Sequence, residues 1–238
     1  MQPRVAVFLT AYNEEPVIAS VISRIDKEYS VFVVNDGSSD NTVDAARNKG
    51  AEVISHPINL GQGNAGITMF KRACSLDYDY IVHLDADGQH DPDEISKLIA
   101  KAEEDNLDVV IGSRILGTNY DNAPFLRKTF LPYYTWVINK LTGYTMTDAM
   151  SGFRAHRISS LKKVFHIFDQ MLEPQYLASE MFIRFSKEGL TVGEVPIHMQ
   201  DRLKGHSYKG TIRYGWGVLK AIVRTLMDIN ENKQETAP

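Results

Sequence analysis

Five short runs of aliphatic and β-branched residues alternate with helical patterns in the first half of the chain. This alternation limits the fold more than any other feature. VAVFLT (5–10), VFVVN (31–35), EVIS (52–55), YIVHLD (80–85) and DVVIGS (108–113) read as strands. They are apolar almost throughout, as expected of strands covered on both faces. Residues 15–26, 42–49, 65–76 and 92–105 read as helices between them. Asp91 is a suitable N-cap, followed by Pro92 at the first helical position. The pattern predicts an α/β fold with a doubly wound, mostly parallel sheet flanked by helices. Such sheets bind ligands beyond the C-terminal ends of their strands.

The second half is less regular. Residues 125–141 are aromatic-rich and read as a helix with a break near Pro132. Residues 173–187 read as another helix, EVPIHM (194–199) as a late strand, and 211–229 as a terminal helix before a polar tail. No repeat or low-complexity linker divides the chain. Residues 1–210 are therefore expected to form one domain, with 211–238 as an amphipathic helix and tail.

Bulk properties narrow the class. An apolar share of 43% in 238 residues supports a sizeable core. A formal net charge of −4 gives no general pull toward nucleic acid. The single Cys74 excludes an internal disulfide, fits a reducing compartment and reads as a small buried apolar residue. The start lacks the apolar region of a secretory signal, and no stretch of eighteen uncharged apolar residues exists. Membrane contact is expected to be peripheral. From Arg202 to Met227 there are six Lys and Arg residues and no Asp or Glu.

The sharpest chemical signal is HLDADGQHDP at 83–92. An apolar strand delivers Asp85 and Asp87 to the edge of the sheet. Two carboxylates so close repel unless a cation lies between them. Mg²⁺ or Mn²⁺ suits such oxygen ligands, and Gln89 could add an amide oxygen. In VVNDGSSDNT (33–42), Asp36 ends a second strand and can accept from a base N–H or a ribose hydroxyl, while Asp40 and Asn41 read as caps. In TAYNEE (10–15), Tyr12 could stack on a base and Glu14 could bind a base or ribose edge; first-turn helix acids explain Glu14 and Glu15 about as well. GQGNAG at 61–66 spells a dinucleotide fingerprint but does not directly follow a strand. Residues 59–66 are read as a glycine-permitted loop near a donor phosphate or base.

The motifs T-A-Y-N-E-E, V-V-N-D-G-S-S-D-N-T, N-L-G-Q-G-N-A, D-A-D-G-Q-H, I-G-S-R and D-A-M-S-G-F-R occur in the order seen in family 2 glycosyltransferases. The chain most resembles the branch containing dolichyl-phosphate mannose synthase and the polyprenyl-phosphate glycosyltransferases, over about residues 3–210. The resemblance implies a GT-A fold, a Mg²⁺ or Mn²⁺ cofactor, and inverting transfer from a UDP- or GDP-sugar. Residues 1–115 would bind the nucleotide-sugar donor and 116–210 the acceptor. Tyr12, Glu14 and Asp36 would hold the nucleoside, with Thr10, Gln62 and Ala86 among the donor contacts. Asp85, Asp87 and Gln89 would hold metal and diphosphate. Arg114, Ser151 and Arg154 would face an acceptor phosphate. Arg202 and Lys209 would close over the donor diphosphate. Asn35, Gln62 and Tyr208 depart from the family's usual residues and leave the donor base and sugar open.

The acceptor can be argued independently. A sugar hydroxyl needs a general base, whereas a phosphate monoester is mostly ionised near neutrality, with a second pKa of about 6. It needs cations to place it, and Arg114, Arg127 and Arg154 supply them. Asp87, Arg114, Arg154 and Asp148 are thus the catalytic candidates; Asp148 or Glu180 as a base would keep a hydroxyl acceptor in play. In the terminal helix Ile212, Trp216, Leu219, Val223 and Leu226 recur at helical spacing, with Arg213, Lys220 and Arg224 on another face. Such a basic amphipathic helix can lie on anionic lipid, or pack on the sheet or on a second subunit of a homodimer. The expectation is an enzyme peripheral to the inner, cytoplasmic face of a membrane, acting on a polyprenyl phosphate. A saccharide hydroxyl acceptor is the nearest alternative, followed by a nucleotidyltransferase and a non-catalytic nucleotide-binding scaffold.

Overall fold

The computed structural model describes residues 2–117, 125–198, 200 and 211–235; within these, the side chains of 125–127, 211–214 and 230–235 are not described. The core strands are β1 (Val5–Ala11), β2 (Ser30–Asn35), β3 (Glu52–Ser55), β4 (Tyr80–Asp85) and β5 (Val109–Ser113). β6 (Arg154–Arg157) and β7 (Val192–Pro196) complete one seven-stranded sheet in the order β3-β2-β1-β4-β6-β5-β7. Pairings are parallel except those of β6, which runs antiparallel to both β4 and β5. Every residue of β1 and of β5 is buried, which is why their sequences show no alternation.

Helices cover both faces. α1 (Glu15–Arg24), α2 (Thr42–Arg47) and α4 (Ile95–Glu104) lie on one side, against Val7, Leu9, Val33, Val82 and Leu84. α3 (Gln62–Cys74), α5 (Phe125–Thr142), α6 (Ile158–Lys163), α7 (Leu177–Lys187) and α8 (Thr211–Glu235) cover the other, against Phe8, Phe32, Ile81 and Ile111.

Several details differ from expectation. β6 and α6 were not anticipated. α5 runs through Pro132 without a break; the ring sits on the exposed side of the helix, where water can bond the carbonyl left without a donor. The helix expected at 173–187 begins as a 3-10 turn, Pro174–Tyr176. α3 starts at Gln62, so the loop read at 59–66 ends at Gly61. Gly63 and Gly66 serve packing instead: a Cβ at Gly63 would lie 1.5 Å from the Pro174 carbonyl oxygen, and one at Gly66 would meet Leu177 at 2.6 Å. Cys74 is half-buried, and burial raises its thiol to about 11, so it is no nucleophile.

α8 packs through Val218, Ala221, Ile222 and Thr225 and turns Trp216, Leu219, Val223 and Met227 outward. Leu226, grouped in the sequence with Trp216, Leu219 and Val223, packs against the core instead of lying outward with them. Lys220 and Arg224 both pair with Glu173. Tyr133 and Trp136 on α5 are also exposed and stack with ring centroids 6.0 Å apart. No helix among the described residues is long and apolar enough to cross a membrane.

Candidate active site

The ends of β1, β2 and β4 bring the donor motifs together. The β1–α1 and β2–α2 turns interlock. Asn13 N donates to Ser38 Oγ (2.9 Å), Ser39 N to Asn13 Oδ1 (2.9 Å) and Glu14 N to Thr42 Oγ1 (2.9 Å). Asp40 accepts from Thr42 N (3.1 Å) at the start of α2; Asn41 takes the N-cap position but makes no side-chain cap bond and donates to Glu15 instead. Tyr12 is 44% exposed, leaving an aromatic face open beside this turn. Thr10 is buried and meets His83 Nε2 at 3.2 Å.

β4 places Asp85 at its last position. Gln62 Nε2 donates to Asp85 Oδ1 (3.1 Å), and His90 Nε2 stands 3.6 Å from Asp85 Oδ2. Ala86 and Asp87 are buried in the turn that follows, where Asp87 Oδ1 accepts from Gln89 N (3.0 Å). A Cβ at Gly152 would lie 2.6 Å from Asp85 Oδ2, so this glycine makes room for the carboxylate. Asp85, Asp87 and the Gln89 amide are hard oxygen donors at one turn and fit Mg²⁺ or Mn²⁺. No group of three His, Cys, Asp or Glu side chains gathers among the described residues. A cation here would thus need further oxygens, which a diphosphate and water can give.

A network that no motif indicated braces this turn from outside. Asp91 accepts from Arg24 Nη2 (2.7 Å) and Gln200 Nε2 (3.0 Å), while Gln200 N donates to the Gln89 carbonyl (2.9 Å). Glu94 is buried and accepts from His198 N and Lys97. Apart from Lys97, three residues from Glu94, these partners lie too far apart in sequence for spacing to reveal them.

The acceptor motifs meet across β5, β6 and β7. Arg114 Nε and Nη2 bind Asp148 Oδ2 and Oδ1 at 2.6 and 2.8 Å, and Arg114 N adds a third bond. Asp148 is fully buried; although burial opposes ionisation, Arg114 holds its carboxyl below the usual range. Glu194 of β7 in turn fixes Thr147 N (2.7 Å) and Asp148 N (2.9 Å). Arg154 is buried over the Phe182 ring at 4.7 Å, with Nη2 donating to the Ala149 carbonyl. Its buried Nε has no partner among the described residues, and burial lowers its pKa to about 10. Ser151 is buried and its hydroxyl accepts from Phe153 N (3.3 Å). Glu180 is bound by Arg184 and by the backbone of Leu172 and Glu173. Arg127 sits in the first turn of α5, but its side chain lies outside the described residues, as do Arg202 and Lys209.

Fold and site together define a class: a mostly parallel α/β sheet with an acidic pair and polar turns at its C-terminal edge. The family model for glycosyl transferase family 2 matches residues 6–165. The chain belongs to that family and is a glycosyltransferase. It is 34% identical over 212 residues to a UDP-N-acetylglucosamine–dolichyl-phosphate N-acetylglucosaminyltransferase of Methanococcus voltae, covering 80% of this chain and 83% of that one. It is 30% identical over 214 residues to an undecaprenyl-phosphate mannosyltransferase of Micrococcus luteus, covering 86% of each. Glucosyl-3-phosphoglycerate synthase from Mycobacterium tuberculosis, solved with Mn²⁺, UDP and phosphoglyceric acid, superposes with a TM-score of 0.67 at 20% identity, over 95% of this chain and 78% of that one. The fold is the GT-A type expected from sequence.

Proposed function

We propose that the chain transfers a sugar, with inversion, from a UDP- or GDP-sugar to a polyprenyl phosphate at the inner membrane face. The observation that carries this reading is the contact between Gly152 and Asp85: the acidic pair and the 148–154 acceptor loop share one wall. In this reading residues 1–115 form the donor half, 116–210 the acceptor half and 211–238 the membrane element.

On the donor side, Tyr12 offers a stacking face for the base, and Thr10, Glu14, Asp36, Gln62 and Ala86 shape the nucleotide site. Asp85, Asp87 and Gln89 hold Mg²⁺ or Mn²⁺, which when bound neutralises charge developing on the leaving diphosphate. Arg202 and Lys209 bind that diphosphate too. On the acceptor side, Arg114 and Arg154, with Arg127 and Ser151, place an already ionised phosphate for attack on the anomeric carbon. That nucleophile needs no base, and the charge of Asp148 is already matched by Arg114. Asp148 therefore acts by orienting Arg114. The two relatives named for lipid-phosphate acceptors support the acceptor class. The outward stripe of α8 and the Tyr133–Trp136 pair suit the interfacial zone of a bilayer.

The test supplies radiolabelled UDP- and GDP-sugars with Mn²⁺ to vesicles containing polyprenyl phosphate and, separately, to soluble saccharides. Label is expected in the lipid extract and absent with excess EDTA. Label only in a soluble saccharide would replace the acceptor; equal turnover with EDTA would remove the metal.

A further inference from the structure

At the end of β2, the Asp36 carboxylate is engaged by the protein itself. Its Oδ1 accepts from His56 Nδ1 (2.8 Å) and Leu60 N (2.9 Å), and its Oδ2 accepts from Gly61 N (2.8 Å). On the far side of the imidazole, His56 Nε2 accepts from the Thr68 hydroxyl of α3 at 2.8 Å. The Asp36 side chain is 4% exposed and that of His56 10%. Gly37 brings the chain close: a Cβ there would lie 2.3 Å from the Ile58 carbonyl carbon. The residue after Gly61 is Gln62, whose amide reaches Asp85. Residues 56–62 are thus tied to the end of β2 at one side and to the end of β4 at the other.

We propose that His56, backed by Thr68, is a positioning residue for the donor. It orients Asp36 as the acceptor for the Leu60 and Gly61 amides, and so sets both the loop that flanks the nucleoside and the place of Gln62 beside Asp85. A carboxylate offers about four acceptor positions. Three on Asp36 are filled, so this aspartate acts chiefly through the loop it organises and has one position left for a nucleotide. The bonds that His56 and the two amides make are charge-assisted and nearly dry, the setting in which such bonds are strongest. Removing the imidazole leaves a buried carboxylate short of a partner and frees the loop to shift. The proposal rests on the donor reading above and is independent of the acceptor.

The experiment measures binding of UDP and of GDP, each with Mn²⁺, by calorimetry, alongside donor KM, kcat and melting temperature. His56→Leu is expected to weaken binding of the cognate nucleotide, and to raise donor KM, about tenfold, with kcat within about threefold of wild type. His56→Asn, whose Nδ2 can still donate to Asp36, is expected to recover most of that loss. Thr68→Val, which removes only the backing bond, falls between and serves if His56→Leu does not fold. A lowered melting temperature with unchanged nucleotide affinity would overturn the proposal, as would failure of His56→Asn to recover binding. Binding of neither nucleotide by the wild-type protein would sink the donor reading itself.

Discussion

At the ends of β2 and β4, the carboxylates of Asp36 and Asp85 are held by backbone N–H groups, an imidazole and an amide, whereas across β5 and β6 the charged side chains of Arg114 and Asp148 hold each other. An amide donor leaves a carboxylate's negative charge uncancelled, as a cation site requires. Pairing an arginine with a buried aspartate fixes its fork and cancels much of its charge. In the proposed reading, the first edge attracts a cation and the second aligns the acceptor.

The largest expected effect tests the attracting edge. Asp87→Ala should lower transfer by about 10³-fold or more, the several kcal/mol that a bound cation contributes to the transition state. The fold should survive, since the turn hydrogen bond that Asp87 Oδ1 accepts from Gln89 N is worth about 1 kcal/mol. Activity beside a melting curve settles both points. The aligning edge is tested next by Asp148→Asn, which removes the carboxylate charge that Arg114 binds. A loss of about 3 kcal/mol in denaturant unfolding is expected, together with a higher acceptor KM. A fall in kcat at unchanged stability would instead make Asp148 a base.

The smallest effect concerns a histidine behind both edges. His156 on β6 is buried between Phe70 and Phe185, and neither ring nitrogen has a partner among the described residues. Burial first, then Arg154 and His83, push its pKa well below 6.5. Burial likewise lowers His83 to about 4. Both rings are neutral in the fold, so below about pH 6.5 the unfolded chain binds protons that the native state refuses. Stability is full above that pH and falls as the pH drops, by up to about 1.4 kcal/mol per unit for each group. His156→Phe should flatten the slope between pH 6.5 and 5 in urea titrations. An unchanged slope would mean that the ring finds a proton acceptor.

Most of the donor edge was legible in the sequence, because a strand buried on both faces writes itself as an apolar run and its last residue marks the ligand side. Asp36, Asp85 and Asp87 were located that way. Their holders were not: His56 and Gly61 lie 20 and 25 residues from Asp36, and no periodicity links them. β6 was invisible because it reads Arg-Ala-His-Arg, a composition typical of surface loops, yet it sits inside the sheet. The Arg114–Asp148 pair spans 34 residues and requires that antiparallel strand to close it. The glycines of 61–66 misled because glycine serves close helix packing as readily as it serves a loop.

Gly152 carries one more consequence. A methyl group there would collide with Asp85, so in the proposed reading the partition between donor and acceptor would be only a backbone thick. A larger residue at 152 is then expected to change the KM values of both substrates through a single atom.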